Sequence, residues 1–413
     1  MTDAVTPEAT EPSVLRDPPF LRLWVGTTAS GLATWALPFV LGLGVVDGSV
    51  GVGTLGVVLA ARTVGFLLAV PVSGVVADRW SRRAVVWVSG LVAALASGAI
   101  AVGLGSSAAL MIVGAVVAGA GQGACRPAFQ ALTAEVVDPD RRQQANAAQT
   151  LAVRATTLVA PAGTALLGTV VGVRSLLLVI GALWLVAAAL PPAGDPRRAA
   201  DAVSARALVG EFVDGLREAR RHPWFLAGLG ALTTVIATGY SATAVALPLV
   251  SRERFGSEVV LAGALTGYTT GALLGALLIA QWRPRSSGWA ALAGLAVYGF
   301  APLALLLPVP VAVVVAAYVV AGLGIELFNV PWFTATQREV DPRLLARVSS
   351  LDFLFSYGLA PLGLALIAPA IVTVGAVPVL GACAVLCFLA PALAALAPGA
   401  RHFTVRSPRE SGR

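Results

Sequence analysis

Twelve runs of this chain are long and apolar enough to cross a lipid bilayer as α-helices, and no other feature restricts its fold as much. They are predicted at about 20–46, 54–76, 84–104, 109–133, 146–170, 174–190, 224–250, 259–281, 288–307, 311–334, 345–372 and 376–397. A helix needs about 17–25 mostly apolar residues to span a hydrocarbon core of about 30 Å. Membrane β-strands would instead be runs of about 10 residues with alternating polarity, a pattern absent here. Charge is correspondingly scarce: 12% of residues are charged and 57% hydrophobic, against about a quarter charged in a soluble domain. The runs end on Pro, Gly or charge, as at Asp47-Gly48, Pro191-Pro192 and Pro308-Val309-Pro310. The fold class expected is an all-α polytopic membrane protein of twelve transmembrane helices.

The short joints set the orientation. All 28 basic residues are Arg, and 22 of them fall on one alternate set of joints and the two chain ends; the other set carries only Arg174, Arg252 and Arg254. Basic loops stay in the cytoplasm, so both termini are expected there, in a multi-pass protein of the inner or plasma membrane. An even number of crossings requires the same thing. The net charge of +7 is then a topological signal, and no nucleic-acid partner is expected. Without Lys there is no G-x-x-x-x-G-K-[ST] loop to bind ATP. Met1–Asp17 has no basic stretch before an apolar one, so a cleavable signal peptide is not expected. Cys125, Cys383 and Cys387 lie in apolar runs and read as packing residues. His222 and His402 lie outside the membrane runs, so no metal site or cofactor is implied.

The longest joint, 191–223, falls at mid-chain. Leu208, Phe212 and Leu216 recur at i+4 in it, opposite Glu211, Asp214, Arg217, Glu218 and Arg221, with Ser204 as a cap and Pro223 as a stop. That is an amphipathic helix for the membrane surface. The organisation expected is a tail (1–19), a six-helix bundle (20–190), this linker (191–223), a second six-helix bundle (224–397) and a tail (398–413).

The two halves repeat. Ala118-Gly119-Ala120-Gly121 recurs as Ala321-Gly322-Leu323-Gly324, and Val137-Asp138-Pro139 as Val340-Asp341-Pro342, both at an offset of 203. Parallel repeats of this kind are the plan of the major facilitator transporters, in which two half-bundles rock about a site between them. Gly74-Val75-Val76-Ala77-Asp78-Arg79-Trp80-Ser81-Arg82-Arg83 resembles that superfamily's loop signature G-x-x-x-D-R-x-G-R-R, with Ser81 in place of Gly. Val213-Asp214-Gly215-Leu216-Arg217 with Arg221-His222-Pro223, and Arg347-Val348-Ser349-Ser350-Leu351-Asp352 with Leu359-Ala360-Pro361-Leu362-Gly363, resemble the branch holding the enterobactin exporter and macrolide efflux proteins. Ala160-Pro161-Ala162-Gly163 keeps only the Pro of the drug-antiporter pattern G-P-x-x-G-G. The resemblance implies that Asp78 faces the start of the eleventh helix across the halves, accepting from its free amides. It implies that Arg79 reaches an acid at the end of the fourth, for which Glu135 is the candidate. Arg82 and Arg83 complete this latch or simply enforce topology.

Charges within the spans are Arg62, Arg126, Arg154, Glu326 and Asp352. Each costs about 2.5–3.5 kcal/mol at mid-helix and is a functional candidate by default. Asp352 is near a helix end and can cap or pair locally. Glu326 lies two to three turns in, too deep for a short side chain to reach water. The offset of 203 maps Gly123 onto Glu326 and Arg126 onto Asn329. The resemblance places the fourth and tenth helices at a central cavity, so Glu326 and Arg126 are expected to face each other there, with Gln122, Asn329 and Trp332 as further lining. Burial disfavours a charged carboxylate and a nearby guanidinium favours it. A group so balanced can exchange a proton as the cavity changes sides; a static ion pair and a substrate contact are the alternatives. Arg62 and Arg154 lie on helices the family uses between its halves; anionic-substrate contact and interface gating are both open for them, and gating is preferred. Gly267, Gly271 and Gly275 give the eighth helix a smooth packing face, and Asp47 reads as a turn residue.

The function these features imply is proton-coupled export of a small hydrophobic or amphipathic molecule such as a drug, siderophore or secondary metabolite, by alternating access. An importer or uniporter on the same fold is the alternative, and a non-transporting scaffold is disfavoured by the short loops. No enzymatic motif is present.

Overall fold

The computed structural model describes residues 13–79, 81–193, 205–256, 259–358 and 360–404. Among these there are helices and turns and no strands. Inside a bilayer no water is available to the backbone, so each spanning segment must satisfy its own amides and carbonyls, which a helix does. The first half comprises α1 (Pro18–Val46), α2 (Val52–Arg79), α3 (Arg82–Gly103), α4 (Ala108–Val136), α5 (Arg142–Gly168) and α6 (Val173–Ala189). A short helix, α7 (Ala205–Arg220), follows. The second half comprises α8 (Pro223–Glu253), α9 (Val259–Gln281), α10 (Ser287–Leu306) and α11 (Val311–Glu339). Its eleventh crossing is carried by α12 (Leu345–Gly358) and α13 (Ala360–Val374), and its last by α14 (Ala376–Ala394). Among the described residues the α-helices are thus those of the twelve crossings plus the amphipathic α7. Ten are long, apolar spans by themselves; α6 is shorter. α4 and α11 each run several residues further than predicted toward the arginine-rich joints, because Thr133 and Thr336 accept the closing amides of Val137 and Val340 at 3.0 and 3.2 Å.

Local chemistry sets the helix ends. Pro18 and Pro19 open α1, where an amide would be unpaired anyway. Ser81 and Ser107 cap α3 and α4, accepting from the amides of Ala84 at 3.3 Å and Leu110 at 3.2 Å. Asp47 sits in a turn, accepting from the Ser49 amide at 2.9 Å, beside Gly48 at φ +79°. The predicted cap Ser204 lies outside the described residues. α7 turns Phe212 and Leu216 to the core and Arg217 and Asp214, paired at 3.0 Å, outward.

Packing repeats between the halves. At Gly119 of α4 a Cβ would fall on the Arg62 carbonyl of α2, and at Gly322 of α11, 203 residues on, it would fall on the Tyr268 carbonyl of α9. Both helix pairs therefore cross backbone to backbone, which small residues permit. Gly267, Gly271 and Gly275 lie along the same α9 face against Val315, Val319 and Leu323 of α11. α8 contains a π-helical turn, Val235–Tyr240, where Gly239 packs under Cys387 and Tyr298. Cys125, Cys383 and Cys387 are buried and unbridged. Leu68, Leu95, Leu166, Leu274 and Leu366 are exposed, as side chains facing acyl chains must be.

Candidate functional site

The halves meet at the arginine-rich end through two joints. In the first, Asp78 ends α2 as a buried carboxylate. It accepts from the amides of Ala346 at 3.2 Å and Arg347 at 2.9 Å in the first turn of α12. A helix start has unpaired amides and partial positive charge, so a carboxylate is the fitting partner. Arg82 lies beneath, its side chain 1% exposed, 3.3 Å from Asp78 and 2.9 Å from Glu135 of α4, and it also donates to the carbonyls of Ala131 and Pro342. Arg82 thus contacts Glu135 from the start of α3; the Arg79 side chain, from which a contact to Glu135 is expected, lies outside the described residues. Arg83 turns away to donate to the Ala189 carbonyl at 3.1 Å. In the second joint, Gln143 in the first turn of α5 donates to the carbonyls of Ile279 at 2.6 Å and Trp282 at 3.0 Å, at the end of α9. Asn146 and Gln337 continue this joint, bonded side chain to side chain at 2.9 Å.

Above these joints lies a cavity of about 120 Å³ between the halves. α1 contributes Thr27, Ser30, Thr34 and Trp35. α4 contributes Gln122, Arg126, Phe129, Gln130 and Thr133, α5 contributes Gln149 and Arg154, and α11 contributes Glu326, Asn329 and Phe333. Glu326 is fully buried. Its Oε1 is 2.5 Å from Nε of Arg154, and its Oε2 accepts from Asn329 at 3.3 Å. The guanidinium comes from one half and the carboxylate from the other, so the pair crosses the cavity.

Two site expectations are corrected, those for the partner of Glu326 and for Trp332. The ion pair to Glu326 comes from Arg154 on α5; Arg126 lines the same cavity from α4. Arg62, expected as a gating residue, makes its hydrogen bonds within the first half: to the Thr34 carbonyl at 3.1 Å and to Oε1 of Gln122 at 2.7 Å. Trp332 does not line the cavity. Six residues beyond Glu326 turn a helix by about 240°, and its ring is buried between Phe225, stacked at 4.9 Å, and Phe328, at 5.2 Å. Its indole N–H reaches Asp352 at 3.2 Å, which Ser356 also meets at 3.4 Å. Asp352 is therefore a buried local partner within the second half. Phe129, Gln130, Thr133 and Phe333 were missed. Their signal is helical spacing: 129, 130 and 133 continue the stripe of Gln122 and Arg126, and 333 lies seven residues from Glu326.

Two half-bundles around a polar, buried cavity define a membrane transporter. Residues 23–364 match the sequence profile of the Major Facilitator Superfamily, and the chain belongs to that family. Among solved structures, it is similar to the crystal structure of the human organic anion transporter MFSD10 (TETRAN). The TM-score is 0.74 at 16% identity, over 93% of this chain and all of the other, a likeness of fold. No curated protein sequence matches the chain.

Proposed function

We propose that this transporter moves a small amphipathic molecule through the central cavity by alternating access, with proton movement coupled at Glu326. The observation that carries the reading is the Arg154–Glu326 pair spanning the two halves. When the halves rock apart on one side, such a pair must lengthen or break. A buried carboxylate that loses its guanidinium needs another counter-charge, and a proton is the smallest one. Asp78, Arg82 and Glu135 form the latch on the cytoplasmic side, the side on which the arginine count puts both termini. The bundles at 20–190 and 224–397 are the rocking bodies, joined by the 191–223 linker.

Export is the direction we favour, on the likeness of the central linker and the 347–363 stretch to exporters of siderophores and macrolides. Import is the second reading. It is favoured by the cavity charge, two guanidiniums to one carboxylate among its described lining, which suits an anionic solute; the structurally similar human protein is named an organic anion transporter.

The test is proton flux in inverted vesicles carrying an imposed pH gradient. Wild type is compared with Glu326→Gln against lipophilic cations, macrolides, siderophores and organic anions. A compound that dissipates the gradient in wild type and not in the variant supports coupling at Glu326. Equal substrate movement in both proteins without proton flux removes it and leaves uniport.

A further inference from the structure

The cavity is built to donate. Arg62, which does not line it, holds Oε1 of Gln122 at 2.7 Å, so the acceptor end of that amide is used and its N–H₂ end is left for the cavity. Trp35 lines the cavity and its indole N–H is buried without an acceptor. Arg126 and Arg154 add two guanidiniums, which have donors and no acceptor. Among the described lining residues the one carboxylate, Glu326, is held by Arg154 at 2.5 Å and by Asn329 at 3.3 Å. Such a wall, with a carboxylate of the chain itself on it, has the chemistry of an anion site filled by an internal anion.

From this arrangement we infer that the substrate carries a carboxylate, sulfonate or similar monoanionic head that takes the place of Glu326 on Arg154, and that Glu326 picks up a proton as it is displaced. The inference rests on the proposed role of Glu326 and fixes the sign of its coupling. An anion on Arg154 removes the charge that favoured ionised Glu326, so anion and proton bind together. A cation would pair with Glu326 and compete with the proton, which gives exchange. Anion and proton therefore move in the same direction, as a neutral pair for a monoanion. Export then runs down the substrate's own gradient, and an inward proton gradient drives import. At about 30 Å³ per water, a cavity of about 120 Å³ holds the head group of an amphipathic solute and little more in this conformation. Arg62 acts through Gln122 and is a positioning residue.

The experiment uses the purified full-length protein in weakly buffered detergent solution, with 4-toluenesulfonate as the anion and benzyltrimethylammonium as a cation of similar size. Expected for wild type is proton uptake of about one per anion bound, with the apparent Kd rising as the pH is raised. Glu326→Gln should bind the anion at least about tenfold tighter at alkaline pH, with no proton uptake and a flat pH profile. Arg154→Gln should lose binding. Arg62→Gln should weaken binding severalfold while keeping the proton stoichiometry, a split that loss of folding would not produce. Failure of Glu326→Gln to bind the anion overturns the inference. Proton release on cation binding overturns it while leaving proton coupling at Glu326 intact. Tight anion binding with no proton change in wild type overturns it together with the proposed coupling.

Discussion

The two joints at the arginine-rich end are related by the same 203-residue repeat that relates the halves, yet their chemistry is opposite. Asp78 maps onto Gln281, Ala346 onto Gln143 and Arg82 onto Arg285. In the first joint the end of a second-position helix supplies a buried carboxylate, and the start of the facing helix supplies backbone amides. In the second, the end of the equivalent helix supplies backbone carbonyls, and the start of its partner supplies a side-chain amide, Gln143. Both satisfy helix termini that would otherwise be unpaired. The described contacts of the first joint include a buried ion pair, Asp78 with Arg82, whose counterparts Gln281 and Arg285 are exposed; the guanidiniums of the second joint, on Arg142 and Arg283, donate to the carbonyls of Gln337 at 3.0 Å and Asp140 at 3.4 Å. A symmetric fold thus carries one latch built on a buried carboxylate, the charged latch, and one built on carbonyl and amide acceptors. The charged latch is the more sensitive to a change of one atom type.

The strongest challenge to that asymmetry is Arg82→Ala set against Arg285→Ala. Removing Arg82 takes away a guanidinium shared by Asp78 and Glu135, while Arg347 stays 3.8 Å from Asp78. Breaking a buried ion pair from one side costs about 3–5 kcal/mol. Thermal unfolding of the detergent-solubilised protein should show a large loss for Arg82→Ala and a change within about 0.5 kcal/mol for the exposed Arg285. Comparable losses at both sites would mean that the second joint bears charge in a way its geometry does not suggest. As a control, Gly119→Ala and Gly322→Ala probe packing that the repeat does preserve. Each added Cβ meets a carbonyl of the neighbouring helix, so each should cost about 1–3 kcal/mol, and by similar amounts.

Asp78→Asn comes next in size. It keeps the shape and removes the charge that faces the α12 amides, an interaction worth up to about 2 kcal/mol when partly buried. The latch should open more often by a factor of about 5–30, read as faster labelling of a cysteine placed in the joint, with membrane insertion unchanged and transport slowed. Wild-type labelling and transport by a normally expressed Asp78→Asn protein would remove the latch from the mechanism.

Much of this was legible in the chain. The apolar runs set the number of crossings, the repeat set their register, and Glu326 stood out as the deepest acid. Burial of Asp78 against α12 was expected from the loop signature. Helix azimuth was not legible, and every corrected residue turns on it. Arg126 and Arg154 lie at comparable depth on neighbouring helices, and which of them reaches Glu326 depends on a rotation that one sequence fixes only within tens of degrees. Long side chains add to the ambiguity, since Arg62 crosses from α2 to a carbonyl on α1 and an amide on α4. Trp332, expected as aromatic lining of the cavity, lies six residues from Glu326, a spacing that puts it on another face of the helix.

The smallest effect sharpens the comparison most. Gln143→Ala removes two neutral hydrogen bonds to the end of α9. Neutral bonds of this kind contribute about 0.5–1.5 kcal/mol each net of water, and the Trp282 carbonyl end is partly open to solvent, so its loss is partly compensated. The labelling rate at the second joint should rise only severalfold, less than Asp78→Asn raises it at the first. The two joints share no partner residue, so the double variant should open by the product of the two factors. A double variant that opens far more than the product would show that the joints release together, as one rigid rocking step demands. A product relation would show that each helix pair can loosen separately, with the charged joint setting the rate at which the cavity opens.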